Sequence, residues 1–392
     1  MVRVIHTGDT HLGYRQYHSA ARAEDFHAAF DQVIDAAIES DVDAVIHAGD
    51  LFHDRRPDIE ALLGAIGSLE RLAAADIPFL AIVGNHEARH DSQWLDLLAQ
   101  LGLAERLGPS PRRIDDLAIY GLDHRSRDLA GAVTACEPTD TPYRALVAHG
   151  LFSPFAHAQV DTAELLEAAP MDLDVVMLGD NHAPGIETVD GVWVTYCGST
   201  ERVSTAEVSP RGYNLVAIGP DVEIRRRSLE TREFTFIEVP LAPQEGIERV
   251  TEVVAAHTLT DAVVVVELTG AGAPVAPAAI EEVAAAGGAL LTRVVDRRAL
   301  PDRPASTEPV TFADPDAAVG AALEALDLAA HVAAIQRLVR DNTVYRNSST
   351  GISLATAEAR GNTVHSNGST GISTSSFNAG NVIADNTIYN HG

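Results

Sequence analysis

Residues 2–11 read VRVIHTGDTH: an apolar run, a glycine, then an aspartate and a histidine two apart. A short Val/Ile run without polar alternation suits a strand buried on both faces. The Asp-x-His that follows can turn a carboxylate and an imidazole toward one ion. Outward from this stretch the same form recurs in DAVIHAGDLFH (43–53), PFLAIVGNHE (78–87), YRALVAHG (143–150) and LDVVMLGDNH (173–182). Helical spacing over 23–40 and 59–75 separates the first three runs. The alternation predicts an α/β layered core with ligands on loops at strand ends.

Taken singly, a D-x-H, a G-D after a strand or a G-N-H is more often structural than metal-binding. The ordered set is more specific: Asp9 and His11, Asp50, Asn85 and His86, His149, then Asp180 and His182, each after a predicted strand. It offers carboxylates, an amide and imidazoles, with no thiolate. Mixed nitrogen and oxygen donors favour Mn²⁺, Fe²⁺, Co²⁺ or Zn²⁺ over Mg²⁺ or Ca²⁺. Two such ions, about 3.5–4 Å apart and sharing a carboxylate, would clamp a phosphate ester.

Composition narrows the classes. The 392 residues carry a net charge of -28, and all 28 basic residues are arginine. Such a surface suits concentrated salt, where the Debye length falls to about 3 Å at 1 M, and it points to a halophilic host. The acidity argues against simple nucleic-acid binding by bulk charge, but leaves room for a local arginine-lined path. The pairs at 55–56, 112–113, 125/127, 225–227 and 297–298 are candidates for phosphate contacts or for ion pairs. Two cysteines, Cys136 and Cys197, form neither a disulfide framework nor a zinc knuckle. No signal-like segment and no apolar run of about 20 residues occurs, so a soluble cytoplasmic protein is expected. His6, His18, His27, His47, His90, His124 and His157 are read as packing or surface residues.

The set resembles the calcineurin-like metallophosphoesterase superfamily. More narrowly, DTHLGYRQYHSAAR (9–22), HAGDLFHDRRP (47–57) and GNHE (84–87) resemble archaeal DNA double-strand-break repair nucleases of the Mre/SbcD family. The resemblance implies a four-layer metallophosphoesterase sandwich over 1–230 and a small α+β DNA-capping domain over 231–303. It implies a Mn²⁺-dependent nuclease, a 3′–5′ exonuclease and single-strand endonuclease, that processes double-strand-break ends. Asp9, His11, Asp50 and His182 would hold one Mn²⁺; Asp50, Asn85, His149 and Asp180 the other. His86 would act on the phosphate or the leaving oxygen, assisted by His53. The family's last motif is G-H-x-H, so Asp180 stands where a histidine is expected. A carboxylate is a competent ligand there, and the site is read as altered but working. A homodimer and an SMC-like ABC ATPase of the SbcC/Rad type are the implied partners, together with DNA ends.

Two other readings compete: a phosphodiesterase acting on small nucleotides, and a DNA-end tethering scaffold with a vestigial metal site. The remaining chain is read as a linker and helical segment over 304–340. After it, DNTVYRNSSTGIS (341–353) returns as GNTVHSNGSTGIST (361–374) and begins again at 385. This repeat over 341–392 resembles coils of NosD-like parallel β-helices, fewer than three complete ones and without a cap.

Overall fold

The computed structural model describes residues 1–90, 92–124 and 129–298, with seven three-residue strands between 343 and 389. The chain divides into two units, 1–300 and 301–392. In the first, strands β1 (Val2–Thr7), β2 (Ala44–His47) and β3 (Phe79–Ala81) alternate with helices α1 (Ala20–Ser40) and α2 (Ile59–Ala74). Next come α3 (Trp94–Gln100), β4 (Glu105–Arg106), β5 (Arg112–Ile114), β6 (Leu117–Leu122), α4 (Leu129–Val133) and β7 (Tyr143–His149). Then follow α5 (Thr162–Ala168), β8 (Val175–Gly179), β9 (Gly185–Val189), β10 (Val192–Tyr196), β11 (Gly212–Ile218) and β12 (Val222–Ser228).

These strands build two six-stranded sheets, ordered β12-β11-β1-β2-β3-β4 and β5-β6-β7-β8-β10-β9. The Val/Ile runs are buried on both sides because the sheets stack. Val4, Ile46 and Leu80 of one sheet meet Ile119, Val147 and Met177 of the other in one core. On the outer face of the first sheet, Phe30, Val33, Ile34 and Ala37 of α1 and Leu69 and Leu72 of α2 cover Ile5, Val45 and Phe79. Their i, i+3, i+4 spacing places them on one helix stripe. On the other outer face, Leu129, Val133 and Leu165 cover Tyr120, Leu146 and Val176. The result is the four-layer α/β sandwich expected.

The central strands of each sheet run parallel. Their carboxyl ends are level, with Thr7 opposite His47, His47 opposite Ala81, and His149 opposite Gly179. Every loop that follows opens on the same edge, where ligands bind in open parallel sheets.

A third sheet follows: β13 (Phe234–Leu241), β14 (Val263–Gly270) and β15 (Leu291–Asp296), parallel throughout and joined by helices α6 (Ile247–Ala255) and α7 (Pro277–Ala286). It has its own core, with Val250, Val254, Ile280 and Ala284 against Ile237, Val264 and Val266. Arginines seat it on the sandwich. Arg232 forks onto Asp25 of α1 at 2.6 and 2.7 Å. The guanidinia of Arg22 and Arg202 each lie 5.1 Å from the centre of the Phe234 ring.

In the second unit, the described strands pair in parallel, Thr343 opposite Thr363 and Thr363 opposite Thr387. The helical segment expected within 304–340, and the rest of the repeat region, lie outside the described residues. So do Arg125 and Arg127. Most of the other arginine pairs are ion-paired: Arg112 to Glu105, Arg113 to Asp140, Arg225 to Glu223, Arg297 to Glu267 and Arg298 to Asp296. Arg55 and Arg56 are exposed, and none of the ion pairs among the described residues involves them.

Arg22 is fully buried. It donates to Gln16, Asp25 and the Arg202 carbonyl and lies 3.2 Å from Glu201, itself fully buried. Removing one partner of such a network strands the other charge and costs about 3–5 kcal/mol. Denaturant unfolding of Arg22→Ala, in the salt that holds the parent folded, is expected to show a loss of that size. A loss under about 1 kcal/mol, the worth of a surface pair, would contradict this role.

Candidate metal centre

The loops at the strand ends are held open by unusual backbone. Asp9, His11, Asp50 and Asp180 all have left-handed φ values, of 49°, 47°, 58° and 90°. Each such residue costs about 1–3 kcal/mol, and strain of this kind gathers at functional sites. Gly84 shows how tight the site is: a Cβ there would lie 2.0 Å from Asp50 Oδ1. The GNHE loop can pass the carboxylate only as glycine.

Asp50 sits at the centre. Its Oδ1 accepts the His86 backbone N–H at 2.9 Å. Its Oδ2 lies 3.5 Å from His149 Nε2 and 4.0 Å from His11 Nε2. One carboxylate oxygen is thus aimed between two groups of ligands. In the first, the ligand atoms of Asp9, His11 and His182 all lie within 4.8 Å of one another. The Nε2 atoms of His11 and His182 face each other at 3.2 Å. In the second, His149 Nε2 has Asn85 Oδ1 at 2.8 Å and Asp180 Oδ1 at 3.7 Å, besides Asp50. His149 Nδ1 donates to the Ala48 carbonyl at 2.7 Å, which fixes the tautomer and leaves Nε2 to the site. Asp180 also donates its backbone N–H to both Asp9 oxygens, at 3.0 and 3.1 Å.

The electrostatics call for cations. Burial pushes the Asp9 carboxyl up to about 6. Burial would raise Asp50 as well, but the charge of His149, its hydrogen bond and His11 hold it below the usual carboxylate range. Burial alone would lower His149; Asp50 outweighs this and raises it. Burial drives His11 well below its usual value, toward the neutral ligand form. Facing imidazole nitrogens and desolvated carboxylates, with one Asp50 oxygen between the two groups, are the donor set divalent ions would fit.

His86 and His53 lie beside this set. His86 Nδ1 donates to the His53 carbonyl at 2.9 Å, leaving Nε2 free. The His53 ring stacks on Tyr14 with centroids 3.8 Å apart, and its Nδ1 is 3.4 Å from His11 Nδ1. Burial lowers His53, so it stays neutral more readily. His11, His53 and His86 also approach within ligating distance of one another. That triangle has no carboxylate, and a carbonyl already engages one nitrogen of His86.

Two residues near the site carry roles that the motifs did not suggest. Glu87 is buried and its carboxylate accepts the N–H groups of Phe52 and Gly84, at 3.1 and 3.2 Å. It staples the two loops that carry Asp50 and Asn85, and burial pushes it up to about 7. Glu207 accepts from His182 Nδ1 at 2.8 Å and is itself held by Arg211, Ser199 and the Val203 N–H. Burial alone would lower His182, but Glu207 and Asp9 raise it. A carboxylate behind a ligating histidine fixes which ring nitrogen faces the ion.

Fold and site together define a calcineurin-like phosphoesterase, a metal-dependent hydrolase; residues 2–184 match that family. The chain is 53% identical over 346 residues to the DNA double-strand break repair protein Mre11 of Haloferax volcanii, covering 88% of this chain and 78% of that protein. It is 50% identical over 352 residues to the protein of the same name from Halobacterium salinarum, covering 88% and 90%. With that of Methanosarcina acetivorans it shares 39% over 359 residues, covering 88% and 58%. The chain belongs to the Mre11 family of DNA double-strand break repair proteins. Among the described residues, no helix is long and apolar enough to cross a membrane.

Loss of the carboxylate behind a metal-bound histidine typically weakens binding about 10–100-fold. Glu207→Ala is expected to weaken one of two Mn²⁺ binding steps by that factor, and Glu207→Gln, which keeps an acceptor, by less. Calorimetric titration with Mn²⁺ measures both. Unchanged affinity in a folded Glu207→Ala protein would leave Glu207 a loop residue only.

Proposed function

We propose that this protein is a two-metal DNA nuclease, Mn²⁺-dependent, that trims and nicks the ends of broken DNA as a 3′–5′ exonuclease and single-strand endonuclease. The observation that carries the reading is the placement of Asp50 Oδ2 between His149 Nε2 and His11 Nε2. Asp9, His11, Asp50 and His182 would hold one ion; Asp50, Asn85, His149 and Asp180 the other. Bound ions would polarise the phosphate and offset its charge. The relatives' names supply DNA ends as the substrate.

The chain's own residues then have separable tasks. Asp50 holds both ligand groups in register. His86 presents Nε2, the ring being pinned through Nδ1, and can donate to a phosphate or leaving oxygen. His53, stacked on Tyr14, supports the His86 ring through its carbonyl. Exposed Arg55 and Arg56, two and three residues beyond His53, are placed to receive a phosphodiester backbone. Ile59 and Leu63 of α2, one turn apart and 72% and 62% exposed, support a second copy of the chain as a partner. The SMC-like ATPase remains part of this proposal, although the segment that would bind it lies outside the described residues. We place 1–230 and 231–303 as nuclease and DNA-capping domains.

Asp50→Ala and His86→Ser separate holding the ions from using them. Assayed on duplex with free 3′ ends, and in parallel on bis-p-nitrophenyl phosphate, Asp50→Ala is expected to lose both activity and Mn²⁺. His86→Ser should keep its metal and lose about 10²–10⁴ in rate, the usual worth of a proton donor. Full metal content and more than a tenth of parental activity in folded Asp50→Ala would remove the two-metal assignment. Loss of Mn²⁺ from His86→Ser would make His86 a ligand. Activity on the small ester without activity on DNA would favour a small-nucleotide phosphodiesterase.

A further inference from the structure

His124 lies beyond the end of β6, on the same sheet edge as His149 and Asp180. Its backbone N–H donates to the Val83 carbonyl at 2.8 Å, and the Asp123 carboxylate accepts the Val83 N–H at 2.8 Å. This double clasp fixes His124 against the strand end that leads into Gly84 and Asn85. The ligand atoms of His124, His149 and Asp180 all lie within 4.8 Å of one another. The His124 ring stands edge-on to that of His149, at 81° with centroids 5.7 Å apart. Its Nδ1 is buried and makes no hydrogen bond of ordinary geometry, although the His149 backbone lies near enough to act on the ring.

We infer that His124 is a further ligand of the second ion, beside His149 and Asp180. Without it that ion would have one nitrogen and three oxygens: His149 Nε2 with Asp50, Asn85 and Asp180. A buried ring nitrogen without a hydrogen bond of ordinary geometry carries a desolvation cost, which an ion beside it relieves. His124 brings the second imidazole that the first ion already has from His11 and His182. The Asp180 carboxylate is then one of five protein donors rather than one of four, and its neighbour restores nitrogen to the set. Imidazole nitrogen suits first-row transition ions, most of all the later ones, better than it suits Mg²⁺, so His124 sets the ion preference of this half of the site. The inference rests on the two-metal reading.

The test is calorimetric titration with Mn²⁺ and with Mg²⁺, at matched salt, of the parent, His124→Gln, His124→Asn and Asp180→Ala. Circular dichroism identifies which variants are folded, and either His124 variant suffices. The parent is expected to bind two Mn²⁺. In the His124 variants one step should weaken at least tenfold, the step that Asp180→Ala also weakens and Glu207→Ala does not. The loss should be smaller with Mg²⁺. A parent that binds fewer than two Mn²⁺ overturns the two-metal reading and this inference with it. Two Mn²⁺ in the parent, with both steps unchanged in a folded His124 variant, overturns the role of His124 alone. Equal weakening of both steps also overturns it, since that marks a loosened fold.

Discussion

The site depends on one carboxylate held in one place. Asp50 must point an oxygen at imidazoles carried by two different sheets, and its neighbours leave it no other orientation. The left-handed φ at Asp50 turns the chain toward the site, the His86 N–H takes Oδ1, and Gly84 leaves room for it. Glu87 then ties the flanking loops together through Phe52 and Gly84. The sandwich contributes level strand ends. If β7 slipped by one residue against β8, His149 would leave the site, because adjacent strand residues point to opposite faces.

Burying so many acids is costly, and this protein does it on a chain of net charge -28. Inside the site the cost is offset locally by backbone N–H groups of His86 and Asp180 and, when bound, by metal. Outside it, arginine replaces lysine throughout, and most arginine pairs are occupied by carboxylates. Such pairs are worth little individually in salt. Two of the three buried arginines among the described residues, Arg22 and Arg211, sit where a planar fork can satisfy several acceptors at once. Both touch elements that position the site: Arg22 holds the Gln16 and Glu201 region, and Arg211 holds Glu207.

Much of this was legible in the sequence. Each of the five apolar runs contains an interior strand whose carboxyl end opens toward the ligands, and α1 and α2 begin within three residues of where periodicity put them. Every ligand candidate falls at one edge because strand-end loops must open there. The reading missed Leu117–Leu122, a sixth strand of the same kind, whose run ends in Asp123-His124. No glycine directly precedes that polar pair, so it lacks the turn signal that marked four of the other five. Glu207 could not be read at all: it is 25 residues from His182 in sequence, in an ordinary polar loop. The left-handed aspartates were equally hidden, since tertiary packing rather than local propensity imposes those angles.

The central claim is that one carboxylate serves two ions. Anomalous diffraction at the manganese edge, from crystals of the full chain grown with Mn²⁺, tests it most directly. The account predicts two peaks about 3.5–4 Å apart with Asp50 between them. A single peak, or a peak inside the His11–His53–His86 triangle with none beside His149, would contradict it.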